Sequence, residues 1–134
     1  MITLDRPERR NAIDHPTLLK LLDVQADIAT HSPTETRVVM LTGTTPAFSA
    51  GADLNGVEAG RFATDLRRVL VGFGQLPVPV IAAIDGPALG AGTQLAIAAD
   101  LRIATPDSPL GIPAARLGIS VDHWTIRRLR DEFT

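Results

Sequence analysis

Hydrophobic positions along the chain switch repeatedly between short continuous runs and a helical spacing of three to four residues, which is the signature of strands alternating with helices. Ile2 to Leu4 reads as a short extended segment, followed by a turn through Arg6, Pro7 and Glu8. Asp14 stands where a helix cap belongs. Pro16 falls in the first turn, and Leu18, Leu21, Leu22, Ala26 and Ala29 form the apolar face of a helix that ends before Pro33. Val38 to Leu41, bounded by Thr42 and Gly43, predicts a strand buried on both faces. Phe62, Leu66, Val69, Leu70 and Phe73 predict a second helix, stopped by Gly74, Pro77 and Pro79 before a strand at Val80 to Ile84. From about Gly92 to Ala99 only Thr93 and Gln94 interrupt an apolar surface, so this helix is expected to be interior and to lead to a strand at Leu101 to Ala104. Ile126, Leu129 and Phe133 fit one face of a last, arginine-rich helix.

This rhythm predicts an α/β layered fold with ligands at the carboxyl ends of the strands. At 134 residues and 45% hydrophobic content the chain supports one core, and no repeat or low-complexity linker divides it, so residues 1–134 are expected to be a single domain. It begins at a strand and stops one helix after its last loop with no capping signal, which reads as a C-terminally truncated fragment.

Composition removes several kinds of chemistry. Without cysteine there is neither disulfide nor thiolate, and three scattered histidines offer no metal-ligand spacing. A net charge of −2 gives no electrostatic reason to expect nucleic acid. No apolar run reaches the roughly 20 residues of a membrane span, and no basic-then-apolar leader opens the chain, so a cytoplasmic protein is expected.

Two glycine-bearing runs remain, AFSAGADL (Ala47 to Leu54) and DGPALGAGTQLA (Asp85 to Ala96). Each can aim bare backbone N–H groups at one oxygen, as acyl transfer and enolate chemistry require. The second enters its helix through Gly90, Ala91 and Gly92, where unsatisfied donors and the positive dipole end face any developing anion. Taken alone, such a small-residue cluster more often marks a tight turn or helix packing; the first loop beside it reverses that reading. Asp122 suits a helix cap before His123 and also a catalytic carboxylate; Gln94 suits a partner for buried backbone and also an acyl contact. Trp124 fits an acyl pocket or the core, and Arg127, Arg128 and Arg130 read as a solvated face. His15 and His31 flank a helix and suggest no function.

Together, LDRPERRNAI, AFSAGADL, GPALGAGTQLAIAADLRIA and GIPAARLGI resemble, in order and spacing, the crotonase superfamily, also called the enoyl-CoA hydratase/isomerase family, across essentially the whole chain. The resemblance implies a ββα spiral core, here without its C-terminal helical region, and a coenzyme A thioester as ligand with no prosthetic group. It implies that the backbone N–H groups of Ala52 and Ala91 form an oxyanion hole, and that backbone around Ala50, Asp53 and Leu54 meets the adenine. Arg9 or Arg10 is expected to reach the coenzyme phosphates. Hydratases of the family use two glutamates, at positions held here by Gln94 and Ala114. Glutamine cannot exchange a proton near neutral pH and alanine has none to exchange. Asp122 follows Gly118 at the spacing of a catalytic aspartate in some isomerases of the family, although their partner glutamate falls at Ala114. GAGTQLA, LGISVDHW and IRRL are similar to a subgroup that binds long acyl-CoA without hydrating it. The readings that follow are an acyl-CoA binder in lipid metabolism, an isomerase using Asp122, or a truncated product inactive on its own. The full-length family is expected to form homotrimers or hexamers.

Overall fold

The computed structural model describes residues 1–32 and 34–133. Four parallel strands, β1 (Ile2–Leu4), β2 (Val39–Gly43), β3 (Val80–Ile84) and β5 (Leu101–Ala104), pair in the order β1-β2-β3-β5. Val39 sits opposite Val80, and Ile81 opposite Leu101. A second, shorter ladder runs alongside: β4 (Ala88–Leu89) pairs with β6 (Leu110–Gly111), and single parallel bridges join Ser49 to Ala88 and Ile13 to Ala52.

Each long strand is thus followed by a short extended piece and then a helix: α1 (His15–His31), α2 (Ala59–Gly74), α3 (Ala91–Ala98) and α4 (Ala114–Leu117). The strand–strand–helix unit recurs four times, a repeat of architecture with no counterpart in the residue pattern. A final helix, α5 (His123–Phe133), packs on α3. The expected α/β class is what the chain adopts.

Asp14 caps α1, its Oδ1 accepting the Thr17 N–H at 2.9 Å and the Thr17 hydroxyl at 2.6 Å. Burial raises the Asp14 carboxyl, but the Thr17 bonds and Arg6 outweigh it and hold it below its ordinary value. The buried face of α1 is Leu18, Leu21, Gln25 and Ile28, whereas the expected Ala26 and Ala29 are exposed. Gln25 enters the interior because its Nε2 donates to the Val69 carbonyl at 2.9 Å, joining α1 to α2. Pro33, read as the stop signal, lies outside the described residues.

All five apolar positions predicted for α2 are buried. They share one core with Leu4, Val39, Leu41, Val80, Ala82 and Ile84 of the sheet. The strand expected at Val38 to Leu41 is not buried on both faces, since Val38 is 50% and Met40 41% exposed. Alternate residues of a strand point to opposite faces, and only one face of this sheet meets the helices. Edge strand β5 follows the same rule, with Leu101 and Ile103 exposed. The last helix also departs from expectation: Ile126 and Phe133 face outward, and Thr125 is its buried residue.

Candidate functional site

The short ladder builds one wall of a cavity of about 560 Å³. Ile13 donates to the Gly51 carbonyl at 2.7 Å and accepts the Asp53 N–H at 2.8 Å. In a parallel bridge of this kind the intervening residue, Ala52, turns its own N–H to the opposite side. Ala91, first residue of α3, likewise has no preceding turn to bond to. Among the described residues neither amide finds an acceptor, and both residues line the cavity.

Close backbone approach brings the two loops together. Leu89 N–H donates to the Ser49 carbonyl at 2.9 Å, and Ser49 N–H to the Pro87 carbonyl at 3.0 Å. Gly51 takes φ of +112°, and a side chain there would lie 3.0 Å from the Leu89 carbonyl oxygen and 3.9 Å from the Ala91 nitrogen. A Cβ on Gly92 would stand 2.4 Å from the Ser49 carbonyl oxygen, a distance no real Cβ tolerates. Behind the loops, the Thr93 hydroxyl reaches the Ala88 carbonyl at 2.6 Å and accepts the Gly111 N–H at 2.9 Å. Asn11 is almost fully buried and donates to the carbonyls of Thr44 and Ala47, both at 2.7 Å, while accepting the Arg6 N–H at 2.8 Å.

The facing walls are made of side chains. Phe62, Leu66 and Leu70 of α2 contribute to them, as do Ile112, Leu117 and Ile119. Gln94 and Ala114, the two residues that the resemblance sets at glutamate positions, both line the cavity. Gln94 Nε2 donates to the Thr125 hydroxyl at 2.8 Å, a side-chain partner on α5 and not the buried backbone that the sequence suggested. Ala114 is buried at the start of α4.

Asp122 lines the cavity as well and caps α5, its Oδ1 accepting the Thr125 N–H at 3.2 Å while its Oδ2 pairs with Arg67. Burial raises this carboxyl, but the Thr125 hydrogen bonds and the Arg67 guanidinium prevail and hold it below the ordinary carboxylate value. It is the only carboxylate among the described residues lining the cavity. A carboxylate so held is a poor proton acceptor near neutral pH.

Ala50 and Leu54 line the cavity, but Asp53 does not. The N–H of Ala50 is committed to the Arg10 carbonyl at 2.9 Å, and that of Asp53 to Ile13, so only their carbonyls remain for a ligand. Arg9 and Arg10 are exposed at the turn beside this loop, and neither side chain pairs with a carboxylate among the described residues. Trp124 packs against the core with the Arg67 guanidinium 5.7 Å from its ring centre and is not among the lining residues.

Arg128 corrects the solvated-face reading. Its Nε donates to the Ile97 carbonyl at 2.7 Å and its Nη2 to the Ala99 carbonyl at 3.1 Å, satisfying the carboxyl end of α3. Sequence reasoning also missed His15, whose Nε2 lies 2.8 Å from Asp65 Oδ2 across the α1–α2 interface. It missed Asn11 and Thr125 too. Asn11 carried a usable signal, being an asparagine in a turn, and it adopts φ of +55°. Thr125 carried a weaker one as the third residue after a capping aspartate.

The arrangement has close counterparts. The family model described as enoyl-CoA hydratase/isomerase matches residues 1–132. A protein of Mycobacterium leprae named "Probable enoyl-CoA hydratase echA6" is 45% identical over 96% of this chain and 53% of its own length. The mitochondrial methylglutaconyl-CoA hydratase of Mus musculus is 36% identical over 89% of this chain and 40% of its own. Among solved structures, an enoyl-CoA hydratase/carnithine racemase from Magnetospirillum magneticum superposes with a TM-score of 0.86 at 30% identity, over 96% of this chain and 51% of that one. Pseudomonas aeruginosa AtuE gives 0.84 at 29% identity, over 96% and 52%. The chain therefore spans about half the length of the curated relatives it matches. No helix among the described residues is long and apolar enough to cross a membrane. The spiral of strand, strand and helix, the two loops meeting at a cavity and the match over nearly every residue lead to one conclusion: this chain belongs to the enoyl-CoA hydratase/isomerase family.

Proposed function

We propose that this chain binds an acyl-CoA thioester with its carbonyl oxygen between the N–H groups of Ala52 and Ala91, and that it does not hydrate the ligand. The observation that carries the proposal is a pair of amides without protein acceptors opening into an apolar cavity whose one carboxylate, Asp122, is already engaged by Thr125 and Arg67. Two preorganised donors favour negative charge on a thioester oxygen. Gln94 and Ala114 supply no proton to complete water addition. In this reading Arg9 and Arg10, exposed beside the Ala50 loop, reach the coenzyme phosphates. A binding or carrier role in lipid metabolism follows from these features.

An isomerase would need Asp122 to move a proton, and its partners support a structural anion instead. Calorimetric titration with acyl-CoAs, paired with a crotonyl-CoA hydration assay, tests the proposal. Binding without conversion is expected; hydration at an ordinary enzymatic rate would refute it. Placing both carboxylates back, Gln94→Glu with Ala114→Glu, should raise hydration about 100-fold or more over the parent chain. An equal rate in parent and double variant would show that these positions do not limit the chemistry.

A further inference from the structure

The cavity has one rigid wall and two walls held together by little. Helix α2 contributes Phe62, Leu66 and Arg67 to its lining, and the segment from Ile112 to Asp122 contributes Ile112, Leu117, Ile119 and Asp122. Between α2 and residues 112–122 the Arg67–Asp122 ion pair is the one hydrogen-bonded link among the described residues. It is also solvent-exposed, with Arg67 at 44% and Asp122 at 41% of their side-chain surface, so it contributes little and opens readily. Arg67 lies eight residues beyond Ala59, where α2 starts after the Ala52 loop, so the pair sits about 12 Å along the helix axis from that end. Beside it, Leu117 and Ile119 line the cavity while remaining 66% and 60% exposed. An apolar chain passing the ion pair would cover both.

We propose that the Arg67–Asp122 pair is a gate on acyl-chain length: short acyl groups fit behind the closed pair, and long ones part it and run over Leu117 and Ile119. Arg67 is thereby a specificity-determining residue, and the inference rests on the acyl-CoA reading above. A long chain must give up the ion pair that a short one leaves intact, so the pair selects against length. Removal of Leu117 and Ile119 from water beneath the long chain opposes that selection.

The test is calorimetric titration of the whole chain with butyryl-CoA and with hexadecanoyl-CoA below its micelle concentration, for the parent, Arg67→Ala and Arg67→Lys. The long-to-short affinity ratio should rise about fivefold in Arg67→Ala and stay near the parent value in Arg67→Lys, which retains a cation for Asp122. An unchanged ratio in Arg67→Ala, or an equal rise in both variants, overturns the gate while leaving acyl-CoA binding intact. Failure of the parent to bind either ligand overturns the acyl-CoA reading and the gate with it. A second measurement needs no variant: raising NaCl screens the exposed pair, so the ratio in the parent should climb with salt. Taking the ratio cancels the salt dependence of the coenzyme phosphates common to both ligands. A flat ratio overturns the proposal.

Discussion

Two sides of the cavity meet the same ligand space by opposite means. The ladder side, from Ile13 through Ser49 to Ala52 and on to Ala88 and Ala91, is backbone against backbone, with Gly51 and Gly92 leaving no room for side chains. The side running from Ile112 to Asp122 presents exposed apolar residues and is tied to α2 by an ion pair. Under the proposed function a fixed pair of amide donors needs a wall that cannot relax, because their value at an oxygen depends on being placed before the charge appears. An apolar chain, on the same proposal, makes no such demand, and a loosely held wall serves.

The most severe way to break this contrast is to enlarge the tight wall. Gly92→Val should destabilise the fold by about 3 kcal/mol or more, read as a fall in the denaturation midpoint, because its Cβ would meet the Ser49 carbonyl oxygen at 2.4 Å and that oxygen cannot retreat without losing Leu89. A cost near zero would show that the ladder wall is as yielding as the other.

Acid probes two titratable ties of α2, one turned inward and one outward. The His15 hydrogen bond, then that of Arg68, lowers the Asp65 carboxyl against the opposing effect of burial. A carboxyl lowered on folding contributes stability above its unfolded pKa and loses it as pH falls through the folded value, so this contribution should disappear below about pH 4. Asp65→Asn, measured by urea unfolding between neutral and acid pH, should reduce stability at neutral pH by about 1–3 kcal/mol and flatten the acid slope. Asp122→Asn should flatten it less, because the Arg67 pair is exposed. The reverse order would place the stronger tie on the loose wall.

The smallest effect is expected at Gly118, where φ is +66° but nothing lies within 4 Å of an added Cβ. Gly118→Ala should cost only about 1 kcal/mol, the strain of a left-handed backbone without a clash. A cost matching that of Gly92→Val would erase the distinction between the walls.

How far these features were legible in the residues follows from the range of the forces involved. Helix α2 was readable because its five apolar positions share one face, and β3 because its run is bounded by prolines and Asp85. Asp14 and Asp122 were readable as caps because capping is local: the carboxylate and the amide it bonds are three residues apart. Gln94 and Ala114 drew attention only through the family resemblance, and both line the cavity.

Contacts between distant segments were not legible. Nothing around Arg128 separates it from the solvated Arg127, yet it closes the end of a helix some thirty residues earlier. Ala26 and Gln25 illustrate the same limit. Hydrophobicity favoured the alanine, but a carbonyl at Val69, unknown until α2 was in place, drew the glutamine inside. Val38 and Met40 read as core by composition, and only the placement of the helices on one face of the sheet left them outside.

By itself the sequence determined the alternation of strands and helices and the two glycine loops, since each depends on neighbours within a few residues. Tertiary structure decided that Ala52 and Ala91 open into one cavity, that Asp122 is bound to Arg67 and that α5 turns its polar side inward. These depend on which donors and acceptors meet when segments far apart in the chain are packed. A hydrogen bond is decided by where its partner lies, and the order of residues does not contain that position.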